Sequence, residues 1–352
     1  MVLRHFGSKF MTRSDSNTSN CIRHKECKID LNLFLTVKSS RNNIFQLFLV
    51  VLFSFALITL GIFVEYVVGS VAGDNLDFNF VAAGDFGCGK NANRTITNML
   101  VRQPEVVIGL GDLSYQKTAD CWFHVVSPLD TDGRLKIAIG DNEMYPAKFT
   151  EYMKHFNMDS PYYSFDYGNV HFLSMATAKN KVIPYNKTSE QYEFIKDDLK
   201  RAYENKSTNW IIVYSFRSFY SSNTTHPGLD ELQDLYHPLF DKYGVDVVLQ
   251  AHNHNYQRTY PLNYNDTRTF TPIITDKQTE KYEYDTKGPI FVTIGTGGED
   301  LYEFTNQAPY VVTQFLRHGF LNIDVLENGT RLDAKFFENR DNSDKDHFTI
   351  KK

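Results

Sequence analysis

Three apolar runs of this chain end in the same dipeptide, a glycine followed by an aspartate. The dipeptides are Gly84-Asp85, Gly111-Asp112 and Gly140-Asp141. A fourth apolar run, 245–249, is followed closely by His252 and His254. Glycine lets the backbone turn sharply, so that a short carboxylate can point into a shared cavity. This pattern favours a fold in which several strands deliver side chains to one place.

Between several of the apolar runs lie segments with helical character, and this alternation predicts an α/β sheet. Strands are expected at 78–83, 105–110, 136–139, 170–175, 210–214, 245–250 and 289–294, and helices at 92–101, 189–203 and 230–243. After about residue 318 strands and turns replace this pattern, which predicts a second, more antiparallel sheet. Ligands of open α/β sheets gather at the carboxyl ends of the strands, where the motifs above lie.

Carboxylates together with imidazoles are ligands that suit Fe, Mn or Zn. A single aspartate after glycine is more often a turn or a helix cap than a metal ligand. Four such motifs in order, each at a predicted strand end, are a stronger signal than any one of them. The sequence therefore predicts a metal site at the carboxyl edge of the sheet.

The ordered motifs resemble those of the calcineurin-like metallophosphoesterases, and among them the purple acid phosphatases. The resemblance covers roughly 77–340. It rests on Gly84-Asp85-x-Gly87, Gly111-Asp112-x-x-Tyr115, the block 140–143, the block 213–216, the block 251–254, the segment 255–261 and Gly295-Thr-Gly-Gly298. The resemblance implies a four-layer α/β/β/α metallophosphoesterase sandwich that holds two metal ions at its strand ends.

The resemblance also implies which residues bind the metals. The first ion, typically Fe(III), would be held by Asp85, Asp112, Tyr115 and His254. The second, a divalent Fe, Mn or Zn ion, would share Asp112 and take further ligands from Asp141, His252 and position 216. A tyrosinate ligand stabilises a trivalent ion and gives a charge-transfer colour.

The chain departs from the family pattern at four of these positions. Asp141 replaces an asparagine but keeps an oxygen ligand, and Ala251 replaces a glycine. Phe216 replaces a histidine and removes a ligand of the second metal; water or His226 is the candidate replacement. Asn142 stands where the family has its catalytic histidine, and an amide cannot transfer a proton near neutral pH. Loss of a general acid typically costs 10²–10⁴-fold, and alkyl phosphates would be affected most.

Two function classes follow from this reading. The leading interpretation is a membrane-anchored, extracytoplasmic, acid phosphatase-like enzyme that hydrolyses phosphate monoesters by metal-activated hydroxide, with Asn142 and His226 at the reacting phosphate. The alternative is a catalytically impaired pseudo-phosphatase that acts as a metal-containing surface binding module, because the changes at 142 and 216 affect the same part of the site. A phosphodiesterase or nuclease would use the same ligands.

The N-terminal region predicts a membrane anchor. Residues 44–64 are 21 consecutive residues without a formal charge, long enough to cross the bilayer as a helix. The preceding arm, 1–43, carries eight Lys or Arg residues and three Asp or Glu residues, which orients the N-terminus to the cytoplasm. A linker (65–76), the phosphoesterase domain (77–340) and a polar tail (341–352) would then lie outside, and cleavage near residue 70 with secretion is the alternative.

Charge and cysteine usage fit this assignment. Without the arm, the chain keeps 29 of its 37 Lys and Arg residues and 39 of its 42 Asp and Glu residues, a net charge of about −10. Such a surface argues against nucleic acid as a partner, since that binding relies on phosphate neutralisation by Lys and Arg. Cys88 and Cys121 fall in the predicted extracytoplasmic part, where a disulfide between them could persist. Six glycosylation sequons also lie there, at Asn93, Asn186, Asn205, Asn223, Asn265 and Asn328.

Overall fold

The structure is a computed structural model that describes residues 77–178, 183–267, 271–283 and 288–352. The predicted cytoplasmic arm (1–43), transmembrane helix (44–64) and linker (65–76) lie outside these ranges. Within them, no helix is long and apolar enough to cross a membrane.

The elements alternate along the first two thirds of the described chain and become all-β toward its end. The strands are β1 (Phe78–Ala83), β2 (Val106–Gly109), β3 (Leu135–Ile137), β4 (Tyr163–Tyr167), β5 (Val170–Met175), β6 (Trp210–Ser215), β7 (Val247–Gln250), β8 (Tyr256–Asn263), β9 (Ile273–Ile274), β10 (Lys281–Glu283), β11 (Ile290–Ile294), β12 (Val311–Phe315), β13 (Gly319–Leu326), β14 (Arg331–Glu338) and β15 (Asp344–Lys351). The helices are α1 (Lys90–Val101), α2 (Asp120–Val126), α3 (Pro146–His155), α4 (Glu190–Glu204) and α5 (Asp230–Lys242), with a 3₁₀ turn at Asn142–Met144.

The strands form two mixed sheets. The first has the order β10-β15-β14-β13-β1-β2-β3, in which β1, β2 and β3 are parallel and β13, β14 and β15 are antiparallel. The second has the order β12-β8-β11-β7-β6-β5-β4, with β5, β6, β7 and β11 parallel and β9 paired to β8. The strands β5, β6 and β7 are buried along their whole length, as expected for parallel strands covered on both faces.

One hydrophobic cluster joins the two sheets. The rings of Phe80 in β1 and Phe172 in β5 meet edge to face at 5.1 Å, and Tyr256 in β8 lies 4.5 Å from Phe336 in β14. Trp122 of α2 and Tyr152 of α3 belong to the same cluster. The helices α4 and α5 pack in a second cluster, against the other side of the second sheet. The metal-type motifs therefore lie on loops that are anchored in a continuous core.

The seven strands and three helices predicted from the sequence lie within two residues of their observed bounds, whereas β4, β8, β9, β10, β12, α2 and α3 were not predicted. The C-terminal part differs from expectation in two respects. The strands after residue 318 extend the sheet that contains β1 instead of forming a separate one. The segment 341–352, expected to be a polar tail, contains β15, which pairs with β14 along its length and buries Phe348 and Ile350. Only Phe348 and Ile350 of the eight residues of β15 are apolar, so its composition resembles that of a polar tail.

A disulfide connects the loop after β1 to α2, the helix that follows β2. Cys88, three residues after Asp85, is bonded to Cys121 in α2, with 5.9 Å between their Cα atoms. The two cysteines are 33 residues apart in sequence. This confirms the pairing that the sequence allowed and fixes the loop after β1 against the segment after β2.

Candidate metal centre

The loops that follow β1, β2 and β7 meet at one edge of the sheets. The backbone N–H of Asp85 donates to the carbonyl of Gly111 (3.0 Å), and that of Phe86 donates to the carbonyl of Asp112 (3.1 Å). Asp85, Asp112 and His252 all adopt a positive φ, at 56°, 46° and 70°. A non-glycine residue pays a conformational cost in this region, and such residues cluster at functional sites. The loops are therefore held in a geometry that turns their side chains toward one another.

Gly140 is required where the loop after β3 crosses the loop after β2. A Cβ atom at this position would lie 2.2 Å from the backbone nitrogen of Asp112 and 2.5 Å from its Oδ1. Both atoms belong to the loop after β2, which is held in place by the hydrogen bond from the Asp112 N–H to Glu143 Oε2 (2.8 Å). This contact explains the glycine before Asp141 by close approach of two loops rather than by a positive φ.

Three of the predicted ligands of the first metal form a triangle of donor atoms. Tyr115 Oη lies 3.1 Å from Asp85 Oδ1 and 3.0 Å from His254 Nε2, and the third side, from His254 Nε2 to Asp85 Oδ1, is 3.3 Å. Two donor atoms about 2.1 Å from one ion and at right angles to each other are about 3.0 Å apart. The triangle thus has the dimensions of one face of a metal coordination shell.

The remaining contacts of this triangle also suit a metal. His254 Nδ1 donates to the carbonyl oxygen of Asp300 (2.8 Å), which leaves Nε2 as the nitrogen that faces Asp85 and Tyr115. A ligating histidine usually donates its other N–H to a carbonyl or carboxylate in this way. If only His, Cys, Asp and Glu are counted, the described part of the chain contains no group of three that could hold a metal ion. The triangle contains only two residues of these four types, Asp85 and His254, and the phenol oxygen of Tyr115 is its third donor atom.

The charges around the triangle favour a cation. Burial of Tyr115, together with the nearby carboxylates of Asp85 and Asp112, raises the pKa of its phenol far above the usual value. Burial lowers the pKa of His254, but the Asp85 carboxylate outweighs that effect and the net pKa is raised. The nearby carboxylates contribute to both shifts, and a bound metal ion would neutralise their negative charge. The residues present therefore fit the first metal.

Asp112, the fourth predicted ligand of that ion, is held by Asn142. The backbone N–H of Asn142 donates to Asp112 Oδ1 (2.7 Å), and its side-chain Nδ2 donates to Oδ2 (2.8 Å). Burial and the neighbouring carboxylates of Glu143 and Asp85 raise the pKa of Asp112 well above its usual range. Asn142 thus lies where the resemblance placed a catalytic residue, but its amide is directed at a carboxylate.

Glu143 is a structural residue of this site. Its Oε2 accepts hydrogen bonds from the backbone N–H groups of Asp112 (2.8 Å) and Gly140 (2.9 Å), and its Oε1 accepts one from Leu113 (2.9 Å). The side chain is fully buried. One carboxylate thereby connects the loop after β2 to the loop after β3.

The second predicted metal position is differently equipped. Asp141 Oδ2 accepts a hydrogen bond from Arg217 Nη2 and forms a salt bridge with it. Arg217 follows Phe216 at the end of β6 and is only 9% exposed. The Phe216 ring lies 4.8 Å from the His252 ring. Of the ligands expected here, Asp141 is thus paired with a cation, and His252 faces an aromatic ring that offers no donor atom.

His226 reaches the same region. Its ring stacks on that of His252, with 3.8 Å between centroids and an angle of 15°. Its backbone N–H donates to Asn253 Oδ1 (3.1 Å), and Asn253 is itself buried. Burial, followed by the positive charge of Arg217, lowers the pKa of His226. The structure therefore brings His226 to the site as an imidazole that favours its neutral form.

Three contributors are absent from the sequence-based list of site residues: Arg217, Tyr302 and Asn253. Tyr302 stacks on the His254 ring at 3.9 Å and 11°. Arg217 comes directly after the Phe216 that marks the altered position, and this adjacency was the available signal. Tyr302 lies in the loop after the motif Gly295-Thr-Gly-Gly298, but nothing in the sequence marked it as a site residue.

The family model described as calcineurin-like phosphoesterase matches residues 78–256, about half of the chain. The chain therefore belongs to the calcineurin-like phosphoesterases. Its relatives include purple acid phosphatases: Purple acid phosphatase 21 of Arabidopsis thaliana is 29% identical over 241 residues, which are 62% of this chain and 49% of that protein. Acid phosphatase type 7 of Mus musculus is 25% identical over 260 residues, 65% of this chain and 56% of that protein. The chain thus spans about half the length of these relatives.

Solved structures confirm the α/β fold with mixed sheets. A purple acid phosphatase from yellow lupin seeds superimposes with a TM-score of 0.64 at 21% identity, covering 78% of this chain and 54% of that one. GAP50, described as the anchor in the inner membrane complex of Plasmodium, gives a TM-score of 0.60 at 15% identity over 78% of this chain and 89% of that one. At these identities the likeness concerns the fold alone.

Proposed function

We propose that this chain is a metal-dependent phosphoesterase that hydrolyses phosphate monoesters, within a four-layer α/β/β/α sandwich. The observation that carries the proposal is the triangle of Asp85 Oδ1, Tyr115 Oη and His254 Nε2, with Asp112 beside it. The purple acid phosphatases among its relatives support this substrate class.

Four donors would hold the first ion, for which we propose Fe(III): Asp85, Asp112, Tyr115 and His254. When bound, such an ion neutralises phosphoryl oxygens and activates water for attack at phosphorus. A second, divalent ion (Fe, Mn or Zn) would depend on Asp112, Asp141 and His252. Support for it is weaker, because Phe216 supplies no donor atom and Asp141 already forms a salt bridge.

The chain's own residues define what the chemistry can include. Asn142 donates hydrogen bonds and orients Asp112, but its amide cannot supply a proton to a leaving group. His226 lies at the same edge and can hydrogen-bond a phosphate oxygen through its ring. We therefore expect better turnover of aryl phosphates, whose leaving groups need no proton, than of alkyl phosphates.

The test uses the full-length protein in detergent, loaded with iron and zinc, and follows hydrolysis of an activated aryl phosphate. Asp85→Asn and Tyr115→Phe should each lower kcat/KM at least tenfold, and Tyr115→Phe should also abolish the visible charge-transfer band. Asp159→Asn, a change at an exposed carboxylate, is the matched control. Hydrolysis that is equally fast in all variants would refute the proposal.

A binding module that has lost catalysis is the second candidate. It is supported by the amide of Asn142, which lies at the expected position of the acid and is engaged with Asp112. Metal binding without turnover of any phosphate ester would select this function. Because the part of the chain from residue 44 onward is acidic, we propose no nucleic-acid partner for either function.

For the cellular location we propose a single-pass membrane protein with its phosphoesterase domain outside the cytoplasm. The disulfide between Cys88 and Cys121 supports an oxidising compartment. Five of the six sequon asparagines are exposed, at Asn93, Asn186, Asn205, Asn223 and Asn328. Protease digestion of intact cells tests this: loss of the domain is expected, and its protection would exclude the proposed orientation. Secretion after cleavage near residue 70 would instead release the domain into the medium.

A further inference from the structure

Arg217 lies in the part of the site where a second metal ion is expected. It comes two residues after β6 ends, and its backbone N–H donates to Thr177 Oγ1 (2.9 Å), which fixes the start of the loop. The side chain is 11% exposed and reaches Asp141, 76 residues away in sequence. A guanidinium stays protonated at all physiological pH values, so this is a permanent positive charge.

The carboxylate that only a second ion would use is already engaged, because Asp141 forms a salt bridge with Arg217. A second cation would therefore have to displace Arg217 from Asp141 or bind beside a fixed positive charge. In a buried site such like-charge repulsion is poorly screened.

Phe216 occupies space between the remaining parts of that position. Its ring faces His252 on one side, and on the other it is so close to the second loop that a Cβ on Gly111 would lie 2.9 Å from Phe216 Cδ2. The backbone of Phe216 is fixed as well, because its carbonyl accepts from the N–H of Ala251 (2.9 Å). The donor set for a second ion does not fit, and an aromatic ring separates its members.

Arg217 has capacity to bind a further group. A guanidinium has five N–H donors, and the bond to Asp141 uses one of them. The buried Nε of Arg217 has no hydrogen-bond partner among the described residues. Arginine is well suited to phosphate, since its planar fork can donate two parallel hydrogen bonds to phosphoryl oxygens.

We infer that Arg217 replaces the second metal ion: the chain holds one metal, at the site of Asp85, Asp112, Tyr115 and His254, and Arg217 binds the oxygens of a phosphate-monoester dianion. This inference rests on the proposed phosphoesterase function and names the group that receives the phosphate there. The exchange explains two departures from the family pattern, Phe216 and Asp141, together with the presence of Arg217. Phe216 removes a ligand of the lost ion, Arg217 supplies positive charge in its place, and Asp141 carries the carboxylate that positions Arg217.

The first test counts metal ions. The full-length protein in detergent is stripped with chelator, reloaded with excess iron and zinc, desalted and analysed for metal per chain. We expect one ion per chain for the wild type and for Phe216→His alone, and two for Phe216→His combined with Arg217→Ala. Arg340→Ala, at an exposed arginine, is the control and should leave one. Two ions per wild-type chain would overturn the inference, whereas none would overturn the proposed function itself.

The second test uses one variant, Asp141→Asn, for which the two hypotheses predict opposite changes in phosphate affinity. Binding of inorganic phosphate to the metal-loaded protein is measured by calorimetry. If Arg217 binds phosphate, Asp141→Asn keeps an oxygen that can accept from Arg217 but removes the negative charge beside the phosphate, and it should tighten phosphate binding at least threefold. If Asp141 is a ligand of a second ion, the same change should weaken phosphate binding and reduce the metal content.

Substitution of Arg217 completes the design. Arg217→Gln should weaken phosphate binding at least tenfold with one metal still bound, and Arg217→Lys should recover part of the loss because it keeps the charge without the fork. Circular dichroism of each variant verifies that it is folded. Unchanged phosphate affinity in folded Arg217→Gln would refute the role of Arg217. If Arg217→Gln does not fold, the Asp141→Asn variant decides: weaker phosphate binding there would refute the role of Arg217.

Discussion

Asn142 binds both carboxylate oxygens of Asp112, one through its backbone N–H at 2.7 Å and the other through its side-chain amide at 2.8 Å. This pair joins the loop after β2 to the 3₁₀ turn after β3. The side chain of Asn142 is thereby an orienting group for a predicted metal ligand. It is also the residue that stands where the resemblance places a proton donor.

The first prediction concerns Asn142→His. A histidine here loses the hydrogen bond that the side-chain amide of Asn142 donates to Asp112, but it keeps the hydrogen bond from the backbone N–H. Its imidazole can also donate a proton. We expect kcat/KM for alkyl phosphates to rise by about 10²-fold or more, and that for activated aryl phosphates by less than tenfold, because only poor leaving groups need the acid.

The measurement is a series of monoesters with leaving groups of increasing pKa, assayed with the wild type and the variant. Asn157→His, at an exposed asparagine, controls for the added imidazole. An equal change for every leaving group would show that position 142 affects binding or metal loading rather than proton transfer.

The second prediction concerns Glu143→Gln. Three backbone N–H groups donate to the Glu143 carboxylate, and a glutamine offers them one oxygen and one NH₂ group that can only donate. Because the site is fully buried, the unmatched donors cannot turn to water, and we expect a loss of about 2–4 kcal/mol in the free energy of unfolding.

Urea denaturation monitored by fluorescence measures this loss. Glu303→Gln, at an exposed glutamate, should change the unfolding free energy by less than about 0.5 kcal/mol. A Glu143→Gln protein as stable as the wild type would mean that the two loops are held together by other contacts.

Much of the fold was predictable because its strands and helices have recognisable patterns of apolar and polar residues in the local sequence. Buried parallel strands such as β5 are mostly apolar, with His171 and Ser174 as the polar residues of β5, and they were placed correctly by that feature. The helix α4 also has a serine N-cap, Ser189, whose side chain accepts from the N–H of Tyr192. Strand β15 lacked such a signal, since its exposed face is charged.

The site was predictable only where its residues are neighbours in sequence of a strand end. Asp85, Asp112 and Asp141 follow glycines at such ends, and the structure brings their loops together. Tyr302 and the pairing of Arg217 with Asp141 depend on contacts between distant segments, and no local pattern encodes them. The same limit explains why Phe216 was recognised as a missing ligand while the cation beside it was not.

The third prediction concerns the disulfide between Cys88 and Cys121. It closes a loop of 33 residues, and removing such a cross-link typically costs about 2–4 kcal/mol, mainly by freeing the unfolded chain. We expect Cys88→Ser combined with Cys121→Ser to unfold at lower urea concentration by this amount. Addition of reductant should destabilise the wild type and leave the double variant unchanged. Equal stability of the two proteins without reductant would contradict the prediction.

The fourth prediction uses an ionic cluster outside the metal-type motifs, in which His171 and Asp198 are buried. His171 in β5 contacts Asp198 of α4 through Nε2 (2.8 Å) and Asp166 of β4 through Nδ1 (2.7 Å). Arg201 also donates to Asp198. Burial acts to lower the pKa of His171, but the hydrogen bonds to the two carboxylates outweigh it and raise the pKa. Burial acts to raise the pKa of Asp198, but its bond to His171 lowers it overall.

These two shifts define a pH window. The raised pKa of His171 gives stability that is complete below about pH 6.5, the value of an unfolded histidine, and is lost as the pH rises through the folded pKa. The lowered pKa of Asp198 gives stability that is present above about pH 4 and is lost as the pH falls. The cluster should therefore stabilise the fold most between about pH 4 and 6.5.

Replacement of His171 by phenylalanine tests this assignment. The variant keeps an aromatic ring between α4 and β4 but cannot carry the charge, so its destabilisation relative to the wild type should be larger at pH 6 than at pH 9, by about 1 kcal/mol. Urea unfolding of both proteins at each pH gives the difference. His124→Phe, a change outside the cluster, controls for loss of an imidazole, and a penalty for His171→Phe that is the same at both pH values would show that His171 is not charged in the folded protein.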